Sequence, residues 1–239
     1  MDFVTESIRW LHVVAGFVGL AAFWVPVLSR KGGVNHVRFG RIFEWCGYIV
    51  LLAAGINVTV AIVGGLIKGV SISSSGFAFA VFLGYLAFVT FVILRHGVGV
   101  LRTKRDPAQL NTLLNRCLAY GSIAASVALI AYAVSVRPDN FIILLALSPI
   151  GLGARSIVHY LKGVGLSKRE WMYEHIGAML GAGIAFHTAF AVFGSARLIE
   201  MPFDGWARVL PWVLPAAIGI PASILWTRHY RRRFGDLAT

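Results

Sequence analysis

The stretch Trp171 to Phe190, WMYEHIGAMLGAGIAFHTAF, is long and apolar enough to cross a lipid bilayer as a single helix. It also carries Glu174, His175 and His187. Ionisable side chains are costly in lipid unless they face a partner, a cavity or a cofactor. The sequence therefore predicts a membrane-spanning helix that carries functional residues of the protein.

The rest of the chain is also strongly apolar. Hydrophobic residues make up 58% of its 239 positions, charged residues only 13%, and the mean hydropathy is +0.76. Apolar runs this long are typical of membrane proteins rather than of soluble cores. We predict an all-α transmembrane bundle that forms one integral membrane domain over residues 1–239. Its seven predicted helices cover 7–29, 42–67, 76–96, 113–136, 141–161, 171–193 and 209–227.

The formal net charge of +12 comes from Lys and Arg residues concentrated in alternate loops. Because cytoplasmic loops carry the excess of Lys and Arg, we expect the N-terminus outside and the C-terminus in the cytoplasm. Short loops of this kind orient the chain in the bilayer and provide no face for nucleic acid. The clustered residues are Arg30, Lys31, Arg38 and Arg41, Arg95, Arg102, Lys104 and Arg105, Lys162, Lys168 and Arg169, and Arg228, Arg231, Arg232 and Arg233. The intervening loops hold only Lys68, Arg137, Arg197 and Arg208.

Small residues and prolines indicate where the helices pack and bend. Gly177 and Gly181 form a GxxxG pair, with Gly183 close by, and such glycines let neighbouring backbones approach. Pro149 in the fifth predicted helix removes a backbone hydrogen bond and either bends the helix or is tolerated without consequence.

The positions of six of the seven histidines along their helices divide them into two groups, and His229 follows the last predicted helix. His12 and His187 are expected at similar depths near the outer surface. His36, His96, His159 and His175 are expected near the cytoplasmic boundary.

Further polar residues accompany the cytoplasmic histidines. Glu44 enters the second predicted helix, and Arg155 lies well inside the fifth, where it must reach the interface or meet a carboxylate such as Glu44 or Glu174. Asn57, near the middle of the second helix, suits either a polar pathway or a hydrogen bond between helices. We predict a polar network from Glu44, Arg155 and Asn57, which serves either function or helix packing.

Three segments together resemble a known family. They are LHVVAGFVGL, SRKGGVNHVRFGRIFEW and EHIGAMLGAGIAFHTAF. They are similar to a family of bacterial predicted membrane proteins known only as a domain of unknown function, with an early His, an RKGxxxHxxxG loop and a late HxGxMxGxxI helix. The resemblance implies a bacterial inner-membrane protein and names candidate residues without assigning them a role. These are His12, Lys31, Gly32, His36, Gly40, His175, Met179 and Gly181.

The leading functional hypothesis is histidine ligation of a b-type haem or a transition metal, with a membrane redox role. Haem iron accepts imidazoles from facing helices. His12 with His187 would form one site. Two of the inner histidines would form another, and His175 and His36 are the candidates. His175 and His187 are twelve residues apart, a rotation of about 120°, so they do not share one helix face.

Two alternatives remain open. The first is a zinc-dependent membrane hydrolase whose ligands come from His36, His159, Glu174 and His175, because zinc accepts imidazole and carboxylate and keeps a position for water. The second is a transporter or proton-coupled carrier that needs no cofactor and uses the buried polar residues as a relay. The lipid bilayer, a redox partner and a small-molecule substrate are the partners that these hypotheses imply.

Overall fold

The structure, a computed structural model, describes residues 2–195, 207 and 209–236, with side chains from residue 6 onward. Within these residues every regular element is helical. The α-helices are α1 (Asp2–Leu28), α2 (Val34–Ile67), α3 (Ser75–Arg102), α4 (Leu113–Val136), α5 (Phe141–Leu147), α6 (Ala154–Lys162), α7 (Glu170–Ala189) and α8 (Leu210–Phe234). Short 3₁₀ segments cover Pro107–Leu110 and Ser148–Gly153, and a π-helical turn covers Phe190–Gly194.

The described part of the chain contains seven helical spans that are long and apolar enough to cross a membrane. The fifth, Phe141–Lys162, combines α5, the 3₁₀ segment and α6, and the others each contain one α-helix. The prediction of an all-α bundle with seven membrane-spanning helices is confirmed. Arg197 and Arg208, in the loop before α8, lie outside the described residues.

Several helices extend further than hydropathy predicts. α2 begins at Val34 rather than at residue 42, α3 ends at Arg102 rather than at 96, and α8 ends at Phe234 rather than at 227. The 34 residues of α2 measure about 51 Å, against about 30 Å for the hydrocarbon core of a bilayer. The hydropathy pattern marks the apolar part of a helix, whereas the helical backbone continues into the polar loops.

The fifth span is interrupted at Ser148–Gly153, where one continuous helix was predicted. Pro149 lies in the first turn of this 3₁₀ segment, and the hydroxyl of Tyr85 on α3 supplies hydrogen bonds that the α-helix no longer makes. Tyr85 donates to the Ser148 carbonyl and accepts from the Gly151 amide at 2.8 Å. Ser122 on α4 donates to the Gly151 carbonyl at 3.2 Å. The backbone groups freed by the break are therefore hydrogen-bonded to neighbouring helices, as backbone groups inside a membrane must be.

α3 lies at the centre of the bundle and α8 at its edge. α3 packs against α2, α4 and α7, and its buried positions run along most of its length. α8 packs mainly on α7, and none of its residues is buried. The polar groups of α3 and α7 are consequently the ones best shielded from lipid.

Among the glycines of α7, Gly183 has the tightest contact with a neighbouring helix, and it lies within the Gly177 to Gly183 segment that the sequence singled out. A Cβ atom on Gly183 would overlap the ring of Phe23 on α1. A Cβ atom on Gly177 would meet open space, and one on Gly181 would make only an ordinary contact of 3.6 Å with Ile93. The GxxxG spacing marks small residues correctly but does not identify which of them faces a neighbour.

The two ends of the bundle differ in composition. At one end Arg102 approaches Glu44 at 3.4 Å, Lys104 lies over the Trp171 ring at 5.8 Å, and Arg231 pairs with Glu170. We call this the basic end, because the Lys and Arg clusters of the alternate loops meet there. At the opposite end Ser75 donates to Asp139 at 2.7 Å.

Candidate functional site

A pair of histidines at the basic end joins two distant parts of the sequence. His36 lies in the first turn of α2 and His175 in the second turn of α7, and their ring centroids are 6.3 Å apart with the rings inclined at 65°. Both side chains are half-buried. The RKGxxxH loop and the HxGxM helix therefore meet in space.

Each imidazole of the pair is fixed by a backbone carbonyl. His36 Nδ1 donates to the Pro26 carbonyl at 3.1 Å, and His175 Nδ1 donates to the Gly97 carbonyl at 2.8 Å. An imidazole that donates through Nδ1 carries its lone pair on Nε2 when it is neutral. This is the arrangement in which proteins hold metal-binding histidines.

Lys31 lies beside His36 because both reach the C-terminal carbonyls of α1. Its ammonium donates to the carbonyls of Pro26 at 2.8 Å and Val27 at 2.6 Å, and it lies 4.8 Å from the ring centroid of Trp226 on α8. Partial burial lowers the pKa of Lys31 from its ordinary value of 10.5. Gly32, with φ of +74°, adopts the left-handed conformation that turns the chain from Lys31 toward α2.

A second polar contact lies next to the histidine pair. His96 Nε2 on α3 donates to Glu174 Oε2 on α7 at 2.8 Å, and the ring of Tyr160 on α6 packs edge-on against His96 at 5.4 Å. Since Gly97 follows His96 and His175 follows Glu174, the two α3 to α7 contacts are adjacent. We call Tyr160, His96, Glu174, His175 and His36 the polar layer.

The polar layer does not contain the four-residue zinc set that the sequence suggested. Glu174 bonds to His96 rather than joining His175, and His159 is exposed on α6 while its neighbour Tyr160 faces the interior. No group of three or more His, Cys, Asp or Glu residues able to hold a metal ion occurs among the described residues. The structure brings together His36 and His175 from that set.

The predicted polar network also forms differently. Glu44 pairs with Arg102 of α3, and the exposed Arg155 donates to the carbonyl of Leu152 on its own helix at 3.3 Å. Of the two alternatives for Arg155, the contact with Glu44 or Glu174 is not made, and the side chain lies exposed at the start of α6, after the break in the fifth span. Asn57 is half-buried within α2.

His12 and His187 do not meet as the outer pair. His187 Nε2 accepts from Trp24 Nε1 at 3.1 Å, and His187 Nδ1 donates to the Gly183 carbonyl at 2.7 Å. His12 precedes Trp24 by twelve residues on α1, which is about 18 Å along the helix axis. The two histidines were expected at similar depths, but α1 and α7 pack with a different offset, and His187 fastens α7 to α1 instead.

The contacts that fasten the end of α8 to the start of α7 were not predicted from the sequence. Arg231 pairs with Glu170 and lies 4.1 Å from the ring centroid of Tyr173, whose hydroxyl donates to Asp236 at 2.7 Å. Arg169 approaches Asp236 at 3.5 Å. The signal in the sequence is the acidic Glu170 in the first turn of α7 and the basic last turn of α8, but hydropathy does not indicate that they pair.

A shallow groove of about 450 Å³ lies close to the histidine pair in sequence but on another face of α2. It is lined by Gly32, Gly33, Val34, Val37, Arg38 and Arg41. These helical positions form one stripe, from which His36 is rotated by at least about 100°. The groove is therefore not part of the histidine site.

The seven apolar spans and the polar groups buried between them define a multi-pass membrane protein. Comparison with protein-family models, with curated proteins and with solved structures finds no match to this chain.

Proposed function

We propose that this protein binds a b-type haem or a redox-active transition metal through His36 and His175 and serves a redox role in the membrane. The observation that carries the proposal is the anchored histidine pair, with ring centroids 6.3 Å apart and each Nδ1 bonded to a backbone carbonyl. A bound iron or copper ion would supply one-electron transfer, which amino-acid side chains alone do not readily provide.

The residues present fit such a ligand in their chemistry. The Pro26 and Gly97 carbonyls orient the two imidazoles and increase the basicity of Nε2, the nitrogen that would bind the metal. Lys31 stabilises the same end of α1 through the Pro26 and Val27 carbonyls, so the position of His36 depends on it.

The resemblance to the bacterial family of unknown function supports the same location. Lys31, His36 and His175 belong to the segments that carry it, and these three side chains lie together. By the positive-inside rule the basic end faces the cytoplasm of a bacterial inner membrane. A redox partner or small-molecule substrate would then approach the histidine pair from the cytoplasmic side.

The two alternatives have weaker support. A zinc hydrolase needs three protein ligands and a water position, and the described residues bring together two histidines. A proton-coupled carrier has the buried contact of His96 with Glu174 in its favour, since ionisable groups at such depth mark proton and ion pathways. The interrupted fifth span, however, is closed by Tyr85 and its neighbours rather than opened to water.

The test is to purify the full-length protein in mild detergent after haem-supplemented expression, record its absorption spectrum and measure its metal content. We expect a Soret band or one equivalent of transition metal, lost in His36→Ala and in His175→Ala. His159→Ala is the matched control, because His159 is exposed on α6 and should leave binding unchanged. Absence of both haem and metal from the wild-type protein would refute the proposal. Binding that survives in both histidine variants would refute the assignment of the site.

A further inference from the structure

We infer that the metal bound by His36 and His175 is copper in the Cu(I) state, held by the two Nε2 atoms in near-linear coordination. The inference rests on the proposed function and names the ion at that same site. Three features of the structure lead to it: the number of ligands, the spacing of the rings and the sulfur atom beside them.

The number of ligands favours an ion that is satisfied by few of them. The described residues bring two imidazoles together and form no group of three or more His, Cys, Asp or Glu residues suited to a metal. Structural zinc takes four protein ligands and catalytic zinc three. Cu(I), a closed-shell ion, forms stable complexes with two neutral nitrogen donors, and imidazole is a good copper ligand.

The spacing of the rings favours collinear bonds. With metal to nitrogen bonds of about 2.05 Å, two imidazoles at the tetrahedral angle bring their ring centroids to about 5.2 Å. Two imidazoles on opposite sides of Cu(I), with bonds of about 1.9 Å, place their centroids about 6.1 Å apart. The observed separation of 6.3 Å is closer to the collinear value than to the tetrahedral one, and it is the spacing that two Nε2 atoms facing each other across the ion would need.

A soft sulfur atom lies at the same helix contact. Met179 follows His175 by one turn of α7, and its Sδ atom lies 3.2 Å from the position that a Cβ atom on Gly97 would take. The carbonyl of the same glycine holds His175. Thioether sulfur is a ligand type that favours Cu(I) over harder ions. With the basic end in the reducing cytoplasm, copper would be met there as Cu(I).

The experiment is an anaerobic competition for Cu(I) between the detergent-solubilised full-length protein and bicinchoninate, a chromophoric Cu(I) chelator. We expect one Cu(I) per chain. In His36→Gln and in His175→Gln the affinity for Cu(I) should fall by more than about 100-fold, because loss of a hydrogen-bonding group behind a ligand already lowers metal affinity 10- to 100-fold and loss of the ligand itself should lower it further. His159→Gln should bind as the wild type does. Size-exclusion elution and tryptophan fluorescence check that each variant is folded, and His36→Asn and His175→Asn replace any glutamine variant that is not.

X-ray absorption at the copper edge measures the coordination number independently, and a two-coordinate spectrum is expected. A four-coordinate spectrum, or Cu(I) binding unchanged in both histidine variants, would overturn the inference. If the wild type binds haem through the two histidines but no Cu(I), the inference fails and the proposed function stands. If it binds neither haem nor any metal, both fail.

Discussion

The hydroxyl of Tyr85 provides a direct test of how the interrupted fifth span is stabilised. Tyr85→Phe leaves the aromatic ring in place and removes one oxygen, which accepts from the Gly151 amide and donates to the Ser148 carbonyl. Both Gly151 and Ser148 are buried, so neither backbone group can turn to water. At about 1–3 kcal/mol for each of the two buried groups left without a partner, the substitution should cost about 2–6 kcal/mol of unfolding free energy.

The free energy can be measured by reversible unfolding in mixed micelles with an increasing fraction of denaturing detergent, followed by tryptophan fluorescence. Tyr132→Phe is the matched control, because its hydroxyl makes one hydrogen bond, of 2.5 Å, to the Ile72 carbonyl at the exposed opposite end. We expect that control to lose less than about 1 kcal/mol. If the unfolding free energy of Tyr85→Phe is within about 0.5 kcal/mol of the wild-type value, the stability of the interrupted fifth span does not depend on the hydroxyl.

Three further predictions concern packing, the polar layer and topology. Gly183→Ala should destabilise the protein by about 1–3 kcal/mol, because the added methyl group overlaps the ring of Phe23. Gly177→Ala, whose methyl group meets open space, should be neutral or stabilising by up to about 1 kcal/mol. Equal effects of the two substitutions in an unfolding titration would contradict the assigned contact. His96→Leu should lower the unfolding free energy by about 2–3 kcal/mol, because the Glu174 carboxylate loses its partner. In a double-mutant cycle, adding Glu174→Leu should recover most of that free energy. Additive losses in the double variant would argue against the pairing. A fluorescent protein fused to the C-terminus should fold and fluoresce in the cytoplasm. A dark fluorescent-protein fusion, together with an active periplasmic phosphatase fused at the same position, would reverse the proposed orientation.

The seven spans could be predicted from the sequence because length and hydropathy alone determine whether a helix can cross a bilayer. The interruption of the fifth span could not. Pro149 indicated either a bend or a straight helix, and the choice depends on Tyr85, more than sixty residues away, whose hydroxyl supports the 3₁₀ turn.

The candidate site could be predicted only as a set of residues. His36 and His175 were both candidates, but in a membrane bundle the surfaces that face lipid and protein are similarly apolar, so hydropathy does not reveal which helices are neighbours. For the same reason His187 was assigned to His12, whereas packing brings it to Trp24. His96, which is buried, carried no individual prediction because its partner Glu174 lies on another helix.

The wide separation of His36 and His175 along the chain has a consequence for biogenesis. α2 enters the membrane early, but its partner imidazole is synthesised about 140 residues later, roughly 7–28 s at 5–20 residues per second. Throughout that interval His36 is in place without the ring it packs against. The site is therefore completed only when the sixth span inserts, and any ligand that bridges the two histidines must be loaded after that step.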